Sequence, residues 1–165
     1  MSTVFLNIGS NRGDRRRNIS RAVAAIEKEF GYFELSHSVE SEPWGFESSN
    51  PFINIGMMIL SDLTPIEILH KLQDIERRLS STSHRNPDGS YTDREIDIDI
   101  IAIDEIVIDS PELQIPHPHM AQRRFVLDPL AELAPFWTHP ILRKTPTQLL
   151  SALLNADFPP HLHEP

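Results

Sequence analysis

Strand, helix, strand, strand, helix, strand: read from hydrophobic periodicity, that order predicts an α+β fold, the split βαβ pattern of a ferredoxin-like βαββαβ sandwich with an extra C-terminal hairpin and helices. Two further observations agree with it. The 165 residues suit one domain with a real core and are too few for two, so residues 1–158 are expected to form a single domain and 159–165 a frayed tail. Two long polar segments, 42–51 and 80–93, interrupt the pattern where connections would meet at one end of a sheet.

The elements follow in order. Residues 3–8 are a buried strand, with Gly9-Ser10-Asn11 as the turn that ends it. A helix over 14–30 carries Ile19, Ala22, Val23, Ile26 and Phe30 at three- and four-residue steps, and Gly31 closes it. Residues 32–39 read as a second strand and 52–60 as a third, separated by a loop rich in Pro, Gly and Ser that also holds Trp44 and Phe46. Thr64-Pro65-Ile66-Glu67 combines an N-cap, a first-turn proline and a capping-box glutamate, so a helix starts there, with Ile68, Leu69, Leu72, Ile75 and Leu79 as its buried stripe. After the acidic strand discussed next, a hairpin is expected with arms over 105–108 and 113–115. Pro116-His117-Pro118-His119-Met120 is a stiff turn, Asp128-Pro129 starts a short helix, and Thr145-Pro146 caps a last one carrying Leu149, Leu150, Leu153 and Leu154.

The stretch Asp93-Arg94-Glu95-Ile96-Asp97-Ile98-Asp99-Ile100 alternates acid and isoleucine. On a strand, Glu95, Asp97 and Asp99 share one face at about 6.6 Å spacing, close enough for two carboxylates to reach one divalent cation or a close pair. On a helix Asp97 and Asp99 would sit roughly 200° apart, so the pair has chemical meaning only on a strand. The stripe is either a solvated sheet face or a cation site. The absence of an interleaved lysine favours a cation, because crowded like charges need something positive among them. From Ile100 to Ile103 both faces are apolar, so the strand runs from a polar site into a core.

Composition excludes several functions. A net charge of −9 and a pI near 5.3 argue against general nucleic-acid binding. No apolar run approaches the roughly 18 residues that span a bilayer, and Met1 to Asn7 has no basic leader, so neither a membrane segment nor a signal peptide is expected. Zero cysteines exclude disulfides and thiolate metal sites, and the cytoplasm is the expected compartment. Arginines nevertheless cluster at 12 and 15–17, at 77, 78, 85 and 94, and at 123 and 124, which leaves room for a small polyphosphate. His117 and His119 lack the partners of a zinc site. By themselves Phe52 and Phe125 read as core aromatics, whereas Asn54 in an apolar strand needs hydrogen-bond partners.

Taken in order, Gly9-Ser10-Asn11, Asn50-Pro51-Phe52-Ile53-Asn54, the strand from Arg94 to Ile101, Pro116-His117 and Arg123-Arg124-Phe125 resemble 6-hydroxymethyl-7,8-dihydropterin pyrophosphokinases of folate biosynthesis, over residues 3–137. That resemblance implies an enzyme that transfers the β,γ-diphosphate of ATP to the hydroxymethyl oxygen of a reduced pterin alcohol and releases AMP. It implies that Asp97 and Asp99 hold two Mg²⁺ ions, and that Arg94, with Arg85 from the second loop, stabilises the moving diphosphate. It places Phe52 and Phe125 on either side of the pterin, Asn54 at its amide edge, and Ser41, Glu42 and Trp44 around the pocket. Gln73, Glu76, Ile98, His117 and Arg123 fall to ATP, and a monomer is expected.

The sequence also departs from that pattern. Ser80-Ser81 and Ser83 stand where loop arginines are common, which is why Arg85 is assigned as the substitute. Tyr91 replaces a tryptophan, Pro118 a tyrosine, and Glu112 and Gln114 an ATP-side arginine and threonine. The alternative is a ferredoxin-like module that binds pterin or nucleotide with reduced or lost turnover. A glycosyltransferase reading of Asp-x-Asp fits poorly, since there the pair ends an apolar strand of a much longer sheet.

Overall fold

A computed structural model describes residues 1–41, 50–80 and 95–157. β1 (Ser2–Ser10), β2 (Phe33–Leu35), β3 (Val39–Ser41), β4 (Phe52–Ser61) and β5 (Asp97–Ile103) form one antiparallel sheet in the order β2-β4-β1-β5, with β3 pairing β4 beyond β2. Each helical crossover therefore skips a strand, which is the split βαβ arrangement predicted.

α1 (Arg15–Phe30) and α2 (Pro65–Leu79) cover one face. Asp14 caps α1 by accepting from the Arg17 N–H at 3.1 Å, and Gly31, at φ 86°, ends it in a conformation that a side chain would disfavour. α2 has the expected capping box between Thr64 and Glu67. The core on this side contains Val4, Leu6 and Ile8 of β1, Ile53, Met57 and Ile59 of β4, and Ile98 and Ile100 of β5, packed on Ile26, Ile68, Leu72 and Ile75. A second core, under α3 (Arg124–Leu133) and α4 (Pro146–Asp157), joins Phe5, Ile101 and Ala102 to Val126, Leu127, Leu130 and Leu149. Between the faces of β5 the register slips: Leu6 opposes Ile100 while Phe5 opposes Ala102. That bulge at Ile101 explains why alternation stops after Asp99, since it leaves two successive residues on the α3 side before Ile103 returns to the other.

Five expectations need correction. Gly9 and Ser10 belong to β1, pairing with Asn54 and Ile53, and make no turn. The single strand expected over 32–39 is two short ones, because Ser36 leaves the ladder to bond Gly56 through both its N–H and its hydroxyl. Glu95 precedes the regular strand, which starts at Asp97. The hairpin arms are only β6 (Ile108–Asp109) and β7 (Gln114–Ile115). Finally, α3 starts at Arg124 and Pro129 lies inside it. Among the described residues, no helix is long and apolar enough to cross a membrane.

Candidate active site

Directly opposed residues of an antiparallel pair point to the same face. Asp97 opposes Gly9, which opposes Asn54; Asp99 opposes Asn7, which opposes Gly56. These two rows lie on the face away from α1 and α2, at the end of the sheet where Phe52 opposes Ser41. Adjacent strands are about 4.8 Å apart, so the carboxylates of β5 and the amide of Asn54 stand roughly 10 Å apart with Gly9 between them. Gly9 is required there by close approach: a Cβ would lie 2.7 Å from Asn54 Oδ1 and 3.2 Å from Phe52 Cδ1. Asn54 is buried, and its Nδ2 donates to Ser41 Oγ at 2.7 Å, which fixes the amide over the bare glycine.

On the other side of β5 the sheet edge opens into a cleft of about 390 Å³. Along α2, Leu69, Leu72, Gln73 and Glu76 form one wall, as their three- and four-residue spacing dictates, and Glu112, Leu113, Gln114 and His117 form the opposite one. Asp97, Ile98, Asp99 and Ile100 are its floor. Glu76 Oε2 accepts from the Ile98 N–H at 3.0 Å and so holds the edge strand against α2. The Glu112 carboxylate is bonded to His70 Nε2 across the mouth.

Arg123 connects the two regions. Its Nη1 is 3.9 Å from Asp99 Oδ2 and its guanidinium carbon is 5.6 Å from the centre of the Phe125 ring, an attractive cation–π geometry. His117 lies beside it. Burial first, then the positive charge of Arg123 and of His119, pushes its pKa down from 6.5 to about 4. Its Nδ1 accepts from the His119 N–H at 3.1 Å, so the neutral ring carries its proton on Nε2 and offers a donor.

The structure thus brings Gln73, Glu76, Asp97, Ile98, Asp99 and His117 to one cleft, gathers Ser41, Phe52 and Asn54 around Gly9, and links Phe125 to Asp99 through Arg123. Glu42, Trp44, Arg85 and Arg94 lie outside the described residues, as does the tail. Two residues were missed. Asn7 interrupts the apolar run Val4-Phe5-Leu6 to Ile8, the same signal that made Asn54 conspicuous. Arg15, which in sequence is one member of an arginine cluster, has its Nη1 donating to the Pro51 carbonyl at 3.0 Å, while Asn11 Nδ2 donates to the Asn50 carbonyl at 3.1 Å. Together they tie the segment entering β4 to the β1–α1 connection.

Comparison with known proteins decides the family. The family model described as 7,8-dihydro-6-hydroxymethylpterin-pyrophosphokinase (HPPK) matches residues 5–135. The chain belongs to the HPPK family. A 2-amino-4-hydroxy-6-hydroxymethyldihydropteridine pyrophosphokinase of Porphyromonas gingivalis is 46% identical over 142 residues, covering 85% of this chain and 95% of the relative. One from Aquifex aeolicus is 37% identical over 144 residues, 87% and 88% of the two chains. Among solved structures, Plasmodium falciparum HPPK-DHPS with pteroate superposes with a TM-score of 0.73 at 13% identity, over 99% of this chain and 47% of that one. At that identity the likeness bears on the fold alone. The chain spans about half the length of that protein.

Proposed function

We propose that the protein transfers diphosphate from ATP to the hydroxymethyl group of 6-hydroxymethyl-7,8-dihydropterin and releases AMP, a step of folate biosynthesis. The observation that carries this reading is the shared sheet face: Asp97 and Asp99 stand on the same face as Asn54, across the bare Gly9. A flat heterocycle reaching toward Asn54 would bring its substituent toward the carboxylates, where the triphosphate end of a nucleotide in the β5 cleft also leads.

A triphosphate beside Asp97, Asp99 and Glu112 would be repelled without a cation. The donor set fits Mg²⁺: two hard carboxylates on one strand face, with no third His, Cys, Asp or Glu closing a cluster among the described residues, leave positions for water and phosphate oxygens. Asp97 and Asp99 would hold it, as two ions in the full reading, and when bound it neutralises charge on the phosphates and orients them.

The remaining work falls to the chain's own groups. Phe52 from the sheet and Phe125 from α3 stack the pterin, Asn54 with Ser41 reads its amide edge, and Glu42 and Trp44 close the pocket. Gln73, Glu76 and the edge of β5 at Ile98 hold the adenine side, while His117, through Nε2–H, and Arg123 donate toward the ribose or phosphates. Arg94, with Arg85, covers the transferring group. The hydroxymethyl oxygen attacks the β-phosphorus, the bond from that phosphorus to the α,β-bridging oxygen breaks, AMP departs, and the hydroxyl proton passes to water. Catalysis of this kind is mostly alignment and charge neutralisation. The reading takes the chain as a monomer acting in the cytoplasm.

Incubation with ATP, Mg²⁺ and the pterin alcohol tests it, with AMP as the expected nucleotide product. ADP would instead mean a simple kinase, and no turnover would mean a binding module. Asp97→Asn is expected to reduce AMP formation at least ~100-fold with an unchanged circular dichroism spectrum, a loss on the scale of removing one charge-stabilising group from such a site. Activity surviving in that variant would sink the metal assignment.

A further inference from the structure

We propose that Asn7 is a positioning residue for the pterin site, holding Phe125 by a main-chain carbonyl that Pro129 leaves without its helical donor. In an α-helix the carbonyl of residue 125 takes the N–H of residue 129. Pro129 has no N–H, and its ring presses on that same carbonyl. The sheet supplies the donor: Asn7 Nδ2 reaches the Phe125 oxygen at 3.0 Å. Asn7 is only 4% exposed in the middle of an apolar strand, so its amide needs a partner as much as the carbonyl does.

The location gives this bond its consequence. Asn7 opposes Asp99 on one side and Gly56 on the other. Gly56 lets α3 approach, since a Cβ there would meet the Pro129 Cβ at 2.8 Å and Leu133 Cδ1 at 3.1 Å. The first turn of α3 is therefore pinned, through one side-chain amide, to the row that carries Asp99. Phe125 itself carries that pin, and Arg123 lies two residues before it. Asn7 thereby sets the height and rotation of the Phe125 ring above the sheet without touching a substrate. The inference rests on the reading of Phe125 as a pterin-stacking residue.

A double-mutant cycle tests it. Asn7→Ala should raise the KM for the pterin about 10-fold, the scale of one lost buried hydrogen bond, while leaving the KM for ATP within about 2-fold. Pro129→Ala restores a helical N–H to the Phe125 carbonyl and keeps the Cβ that packs on Gly56. In Asn7→Ala/Pro129→Ala the pterin KM should return to within about 2-fold of wild type. If Asn7→Ala does not fold, recovery of folding by the double variant supports the same bond, and a double variant that stays unfolded overturns it. An unchanged pterin KM in Asn7→Ala, or a double variant no better than the single, also overturns it. Phe125→Ala separates the two levels. A raised pterin KM there beside an unchanged one in Asn7→Ala overturns only the positioning role. No change in Phe125→Ala overturns the stacking reading and the positioning role with it.

Discussion

Replacing Gly9 with alanine is expected to damage the pterin pocket while sparing the nucleotide cleft. The added Cβ would sit 2.7 Å from Asn54 Oδ1 and 3.2 Å from Phe52 Cδ1, the first well inside contact distance. Gly9 lies in a strand paired on both sides, so the backbone has little freedom to retreat. The Asn54 amide must therefore turn away, which breaks its 2.7 Å bond to Ser41. Loss of that bond with both groups left in place costs about 1–3 kcal/mol, and crowding a packed site adds about 1–3 kcal/mol. The lost bond bears directly on the pterin's amide edge, and at 1.4 kcal/mol per factor of ten its about 1–3 kcal/mol should lower the affinity for the pterin roughly 5- to 140-fold. Titration of the pterin by calorimetry or fluorescence measures that directly. A parallel ATP titration should stay within about 2-fold, because the cleft walls on α2 and around His117 are not displaced. The two costs together act on folding, and at about 2–4 °C per kcal/mol the melting temperature should drop by roughly 4–24 °C. A Gly9→Ala variant that binds the pterin as wild type does would refute the idea that the bare floor between Asp97 and Asn54 is the substrate's resting place.

Two further outcomes follow from local physics. His117 has a folded pKa near 4, below its ordinary 6.5, so folding favours the neutral ring. Its contribution is complete above about pH 6.5 and is lost as pH falls toward about 4, by ~2 kcal/mol after allowing for partial exposure. Urea unfolding at pH 7.5 and 4.5 should show that extra acid sensitivity in wild type and its absence in His117→Gln; equal slopes would contradict it. Thr64→Ala removes the reciprocal cap of α2, whose two bonds measure 3.1 and 3.3 Å, and should cost about 1 kcal/mol in denaturant unfolding with no change in the KM for either substrate. Altered kinetics there would show that the start of α2 reaches the cleft more strongly than its geometry implies.

Sequence by itself determined which residues share a face. A two-residue period placed Asp97 and Asp99 on one face and Ile98 and Ile100 on the other, and helical spacing put Gln73 and Glu76 on one side of α2, because side-chain direction along a regular backbone follows from the period alone. Capping chemistry likewise located the start of α2. What covers a face is a matter of tertiary contact. The bulge at Ile101 is set by pairing with β1, the split of β2 from β3 by the bonds of Ser36 to Gly56, and the role of Gly9 by the side chain leaning over it from β4. The clearest case is α3. Local rules put a helix start at Asp128-Pro129, since a proline inside a helix strands a carbonyl. The helix instead runs from Arg124 through Pro129, and Asn7, far away in the chain but adjacent across the sheet, donates to the Phe125 carbonyl that Pro129 leaves without its helical N–H.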